Sequence, residues 1–267
     1  MNMRRILGLL LGLLLLASLA PLSGAEFWEK KKFTQWNEKE VQKMLSDSPW
    51  TQDFQDADVH IDPLERPSLS SGPPANESGA GAPPTDDTDV GLRARESFAR
   101  LVYVIQIRSA LPLRQALVRR AQLQQNYERM LAEDRQRFDQ DIDRFLAEDF
   151  SDRVVIFVSF DSNIDFDKRE LTRHWQAQST QTLKNSVFLI GGKGRKAELQ
   201  DFKLANPNGQ AFQLTFPRKV DGQELVGPGD KNLMLEFVHP ATTRKPERRA
   251  LVEFKVKKML VDGQLEY

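Results

Sequence analysis

The sequence predicts an α+β fold. The expectation is an antiparallel β-sandwich or curved sheet, with one long helix and one shorter helix packed to one side, plus a short N-terminal aromatic helix. Three observations point to it. From Asp152 onward, short apolar segments recur between turn pairs such as Asp221-Gly222 and Asp262-Gly263. Residues 100–108 alternate Leu101, Tyr103, Ile105 and Ile107 with Val102, Val104, Gln106 and Arg108, the period of a mostly buried strand. Between these regions, residues 112–149 carry apolar positions at helical spacing.

The chain opens with Arg4-Arg5, a 15-residue apolar run from Ile6 to Ala20, a break at Pro21 and small residues at Ser23-Gly24-Ala25. That is the layout of a signal peptide over 1–25, cleaved before Glu26. The apolar run is short for a bilayer span, which needs about 20 residues, so no transmembrane segment is expected after cleavage. Arg4-Arg5 lacks the polar surroundings of twin-arginine export, which favours general secretion to the periplasm or the extracellular space. A cysteine-free chain in an oxidising compartment fits a bacterial protein better than a small animal secreted domain.

Residues 26–61 read as an N-terminal aromatic helical module. Trp36 to Ser46 is the predicted helix, with Asn37 as N-cap and Glu40 three residues on to close a capping box. Trp36 and Val41 take the flanking staple positions, and Pro49 ends the helix. Three of the four tryptophans fall here. Trp28, Phe33, Trp36 and Trp50 are therefore the candidate interaction residues. They can anchor the module in a partner's pockets, stack on a sugar, or fold back onto the chain's own main domain. Residues 62–92 form a Pro/Gly/Ser linker with too few long apolar side chains to offset the entropy of ordering. Asn76-Glu77-Ser78 matches a glycosylation sequon that a bacterial host leaves unused.

The main domain covers 93–267. After the strand at 100–108, Pro112 suits the first turn of a helix running to about Asp149. Ala121 to Asn126 is polar and marks a possible break. A continuous helix there would be ~57 Å long, so it either breaks or projects. Val154 to Phe160 is nearly all apolar, as in a central strand covered on both faces. Asp167 and Glu170 form a second capping-box pattern with Phe166 and Leu171 as staple, predicting a helix over about 168–184. Strands follow at about 186–190, 196–204, 211–216, 233–238, 251–257 and 259–266. In the 196–204 strand the apolar phase slips between Leu199 and Phe202, which predicts a bulge near Gln200-Asp201.

Composition narrows the functions. The chain has 38 Lys+Arg and 38 Asp+Glu, and losing Arg4 and Arg5 leaves a slight acidic excess. Nucleic-acid binding needs a basic surplus to neutralise phosphates, so no nucleic-acid partner is expected. The lack of cysteine removes thiolate metal sites, iron–sulfur clusters, disulfides and a cysteine nucleophile.

No residue set assembles a catalytic motif. His60, His174 and His239 are scattered, and no G-x-S-x-G elbow is present. Asp161, Asn163, Asp165 and Asp167 alternate oxygen ligands suited to Ca²⁺. The helix-loop-helix calcium pattern nevertheless fails at Phe166, where glycine is needed, and at Thr172, where a bidentate glutamate is needed. They form a weak candidate, and no metal is assigned. Gly191-Gly192-Lys193-Gly194 lacks the Lys-Ser/Thr ending of a phosphate loop and reads as a flexible basic hairpin. The run Arg244 to Arg249 reads as a solvated loop or a contact for an anionic envelope. No cofactor is expected.

Several blocks resemble one family. They are Phe33-Thr34-Gln35-Trp36-Asn37-Glu38-Lys39-Glu40-Val41 with Ser48-Pro49-Trp50, Ser109-Ala110-Leu111-Pro112-Leu113-Arg114-Gln115-Ala116, Phe216-Pro217-Arg218, Lys231 to Phe237, and the terminal Leu265-Glu266-Tyr267. Spread over residues 27–267, they look like a family of uncharacterised exported, signal-peptide-bearing bacterial proteins. The resemblance implies export and a shared architecture, and no activity. The expectation is a non-enzymatic interaction or structural protein of the bacterial envelope, with an envelope protein as partner through the aromatic module. The alternatives are a carrier or sensor of an apolar or anionic ligand, and an envelope hydrolase using carboxylates.

Overall fold

In the computed structural model of the chain, residues 26–59, 99–206, 208–243 and 246–267 are described. The expected signal peptide, the linker, His60, the sequon and Arg244-Lys245 lie outside the described residues.

In chain order the elements are α1 (Phe27–Lys30), a 3-10 turn (Phe33–Gln35), α2 (Glu38–Ser46), β1 (Thr51–Val59), β2 (Ala99–Ile107), α3 (Leu111–Gln124) and α4 (Ala132–Leu146). There follow β3 (Arg153–Ser162), α5 (Asp165–Gln176), α6 (Thr180–Leu183), β4 (Phe188–Ile190), β5 (Lys196–Glu198), β6 (Asp201–Leu204) and β7 (Ala211–Pro217). The chain ends with β8 (Lys219–Val220), β9 (Gln223–Glu224), β10 (Asn232–His239), β11 (Arg248–Lys255), β12 (Leu260–Val261) and β13 (Gln264–Leu265).

Two antiparallel sheets carry the fold, in orders β1-β2-β3-β7-β6 and β11-β10-β4-β5. Alternation along each strand sends one set of side chains inward. Tyr103, Ile105, Ile156 and Leu214 of the first sheet join Leu235, Phe237, Val252 and Phe254 of the second in one buried cluster. Ring contacts from Phe54 and Tyr103 to Phe237, at 5.9 and 5.4 Å, cross between the sheets. Each such fully buried side chain contributes ~1.5–3 kcal/mol relative to exposure.

Asp221-Gly222 and Asp262-Gly263 turn the β8–β9 and β12–β13 hairpins with positive φ at both residues, as a tight primed turn requires. The phase slip near Gln200-Asp201 has a different cause from a bulge. The chain leaves the second sheet after β5 and enters the first as β6. Inward residues therefore change parity where a strand turns a sandwich corner.

The long helix breaks. Asn126 takes a left-handed φ of 52°, and α4 folds back along α3, so that Arg114 near the start of α3 reaches the end of α4. The second predicted helix starts at Asp165 and divides into α5 and α6. Its N-cap is Ile164, with no side-chain cap. The Ser162 hydroxyl accepts from Ile164 N–H at 3.1 Å and turns the chain early. Asp167 and Phe166 consequently sit inside the first turn, not at cap and staple positions.

Residues 26–55 pack into the same core. Asn37 and Glu40 form the predicted capping box, and Trp36, Val41, Met44, Leu45 and Trp50 are buried in the common cluster. The next segment is a strand that the sequence did not announce: β1 pairs with β2 from Thr51↔Gln106 to Asp56↔Leu101.

Candidate functional site

The outward face of the first sheet forms the floor of an open cleft of about 420 Å³. Register sets its geometry. Arg108 follows β2, and its main-chain N–H donates to the carbonyl of Val155 at 2.7 Å. Val155 pairs with Thr215, and Thr215 with Asp201. The next row runs Gln106, Phe157, Gln213, Lys203. Three strand spacings place Arg108 and Asp201 roughly 14 Å apart across this floor, with Lys203 in the next row. Leu117 of α3, Phe145 of α4, and Glu148 and Phe150 beyond α4 form the wall, with Arg153 at its foot.

Cations and rings interleave. The Arg108 guanidinium lies 4.1 Å from the Phe157 ring centroid. Arg114 and Arg153 lie 4.7 and 4.9 Å from Phe150. Three of the four cations are engaged by the protein itself. Arg114 Nη1 donates to the carbonyls of Phe145, Leu146 and Glu148 at 3.1, 3.0 and 3.2 Å, which neutralises the C-terminal end of α4. Arg153 pairs with Glu148 at 3.0 Å and Asp152 at 2.9 Å. Lys203 pairs with Asp201 at 2.7 Å.

Arg108 differs. Its Nε donates to Gln106 Oε1 at 2.8 Å, and no carboxylate among the described residues pairs with it. Burial, reinforced by the nearby charge of Arg120, pushes its pKa down to about 10. A half-buried guanidinium without a counter-ion favours an incoming anion, because desolvation strengthens the interaction.

The sequence-predicted interaction residues divide. Trp36 and Trp50 are core residues. The Trp36 indole donates to the Lys31 carbonyl at 3.3 Å, and the Trp50 indole to the Glu266 carbonyl at 2.7 Å. Trp28 and Phe33 are partly buried against the same core. They line a shallow cleft of about 350 Å³ with Leu111, Pro112 and Val261. The four therefore do not form one exposed face, and two of them have no surface to offer a partner.

The calcium candidates take separate roles. Asp161 pairs with Lys168 at 2.6 Å. Asn163 Oδ1 accepts from Arg100 N–H at 2.7 Å. Asp165 lies in the first turn of α5, and Asp167 is buried. Among the described residues no group of three or more His, Asp or Glu is placed to hold a metal.

The glycine-rich hairpin is a packing feature. Gly192 N–H donates to the Leu225 carbonyl at 3.0 Å, and a Cβ on Gly191 would stand 1.9 Å from that oxygen. His239 is buried with Nδ1 3.0 Å from the Tyr103 hydroxyl. The two cleft carboxylates, Glu148 and Asp201, are each held in an ion pair.

Sequence reasoning missed Arg108, Arg114, Arg153 and Lys203. The one available signal was Arg108 itself, an arginine on the outward phase of a strand whose other outward members are Val102, Val104 and Gln106.

No helix of the described residues is long and apolar enough to cross a membrane. No protein-family model and no curated protein matches the chain. A solved structure from Burkholderia pseudomallei K96243, described as a novel protein of unknown function, is similar to it at 13% identity and a TM-score of 0.34, covering 56% of this chain and 72% of that one.

Proposed function

We propose that this chain is an exported bacterial envelope protein that acts by binding rather than by catalysis, and that its cleft receives an anionic group. Export rests on the basic, apolar and small-residue succession of residues 1–25. The binding reading rests on one observation: Arg108 stands over Phe157 in an open cleft, with no carboxylate partner among the described residues. An anion there gains a charge-assisted hydrogen bond, which is stronger than a neutral one. The aromatic module contributes to the body of the protein through Trp36 and Trp50, so recognition is assigned to the cleft rather than to that module.

The test is arginine side-chain NMR on the ¹⁵N-labelled protein, titrated with sodium acetate and sodium sulfate. The Arg108 Nε–H resonance is expected to shift saturably and ahead of the other arginines. A uniform, non-saturating drift of all arginine signals with salt would overturn the reading.

A further inference from the structure

We infer that the cleft takes an amphiphilic monoanion, a carboxylate on an unbranched apolar chain, with its head at Arg108 and its body along Val155 and Phe157 beneath Leu117 and Phe145. This rests on the anion-binding reading and adds the ligand class. Three observations carry it.

The first is the distribution of charge. The cleft holds four cations, yet three are engaged internally: Arg114 through Nη1 by three carbonyls, Arg153 by Glu148 and Asp152, and Lys203 by Asp201. That leaves Arg108 as the cleft cation with neither a carboxylate nor a main-chain carbonyl partner among the described residues. Arg120, whose charge is felt at Arg108, lies outside the lining, so within the cleft a single negative head fits best.

The second is the surface beside that head. Val155 and Phe157 line the floor, and Leu117 and Phe145 the wall. Phe145 is 38% exposed, a large ring left open to water on the rim. An apolar chain laid along Phe145, Leu117 and Phe157 removes their remaining surface from water, at ~25 cal/mol per Å²; Val155 beneath is already buried. On the floor, the polar groups Gln213 and Thr215 of β7 and Asp201 and Lys203 of β6 lie two and three strands from Arg108, beyond Val155 and Phe157.

The third is the backbone. β3 lies between β2 and β7, and β7 between β3 and β6. These two central floor strands have their main-chain groups paired on each side, and the floor ends at the edge strand β6. An extended acidic peptide draws affinity from an open strand edge or from several cations; over β3 and β7 there is no open edge, and at the β6 edge Lys203 is already paired with Asp201. Stacking on Phe157 and the bond to Gln106 also hold Arg108 in place before a ligand arrives, which lowers the ordering cost of binding.

The experiment is isothermal titration of the purified mature protein with acetate, hexanoate and decanoate, each below its micelle concentration. Decyltrimethylammonium, inorganic phosphate and an octaglutamate peptide serve as comparators. Affinity is expected to rise about tenfold or more from hexanoate to decanoate, a fraction of what full burial of the added methylenes gives. Decyltrimethylammonium should bind far more weakly. Arg108→Gln should weaken decanoate about ten- to hundredfold, as the loss of a charged hydrogen bond predicts. If that variant does not fold, Leu117→Glu is the second test: it places a like charge on the wall and should abolish decanoate binding.

Carboxylates that bind with no chain-length dependence would leave the anion reading intact and overturn the amphiphile. Tighter binding of octaglutamate or phosphate than of decanoate would also overturn it. Equal binding of the decyl cation would remove the role of the head group. If no anion binds at all, both readings fall.

Discussion

The indole Nε1 of Trp50 donates to the main-chain carbonyl of Glu266 at 2.7 Å, joining residues 216 positions apart. The segment that leads into β1 is thereby tied to the end of the chain. Trp50 is fully buried and meets Trp28 edge-on at 5.8 Å. Trp50→Phe should cost about 2–4 kcal/mol, because it removes the donor and leaves a void beside a buried carbonyl. Deleting residues 26–50 also removes Trp36, Val41, Met44 and Leu45 from the core and should unfold the protein. Hydrogen exchange over Glu38–Ser46 should be as slow as in β2 and β3. Fast exchange there, or a stable deletion variant, would contradict this docking.

Arg114 determines whether the α3–α4 arm stays closed. No residue of α4 is buried, so the arm depends on its ends. Arg114→Met keeps much of the stacking volume against Phe150 but removes the contacts to three carbonyls. The expected loss is about 1.5–3 kcal/mol. The diagnostic readout is local: amide exchange over Ala132–Leu146 should accelerate while β10 and β11 remain protected.

Gly191 is a position where only hydrogen fits. An added Cβ would meet the Leu225 carbonyl at 1.9 Å. Backbone on both sides must then move, so Gly191→Ala should destabilise by about 1–3 kcal/mol, read from urea unfolding. A neutral outcome would mean that the 225–230 loop is free to shift.

His174 gives a pH dependence of definite sign. Burial holds its pKa below the ordinary value of 6.5, partly opposed by the charge of Glu247. The folded chain therefore resists a proton that the unfolded chain accepts. Above about pH 6.5 the group contributes no difference. As pH falls below that, stability declines, and the decline ends once the folded form also takes the proton. Urea midpoints for the native protein and His174→Gln, compared at about pH 7.5 and about pH 5.5, should shift in favour of the variant at the lower pH. An unchanged gap would mean that His174 titrates alike in both states.

Local features of the fold were legible because their cause is local. Asp221-Gly222 and Asp262-Gly263 admit positive φ cheaply, and Asn37 with Glu40 satisfies helix-end donors within four residues. β1 was not legible. Thr51–Val59 carries three aspartates and two glutamines, poor strand formers, and its place is fixed by β2 across a long connection. The tryptophans at 36 and 50 illustrate a second limit: an aromatic cluster needs burial, but composition alone does not say which surface buries it. The cleft illustrates a third. Its residues come from the turn after β2, from α3, α4, β3, β6 and β7, and from the segment after α4, and no short spacing connects them. Arg108 becomes notable only once the nearby acids are seen to pair elsewhere.

The measurement that bears most directly on the proposed anion site is a crystal structure of residues 26–267 soaked with decanoate. Density is expected in the cleft, with a carboxylate oxygen within hydrogen-bond distance of Arg108 and the chain along Phe157 toward Phe145. Decanoate bound at another site, or a cleft without density at saturating ligand, would contradict it.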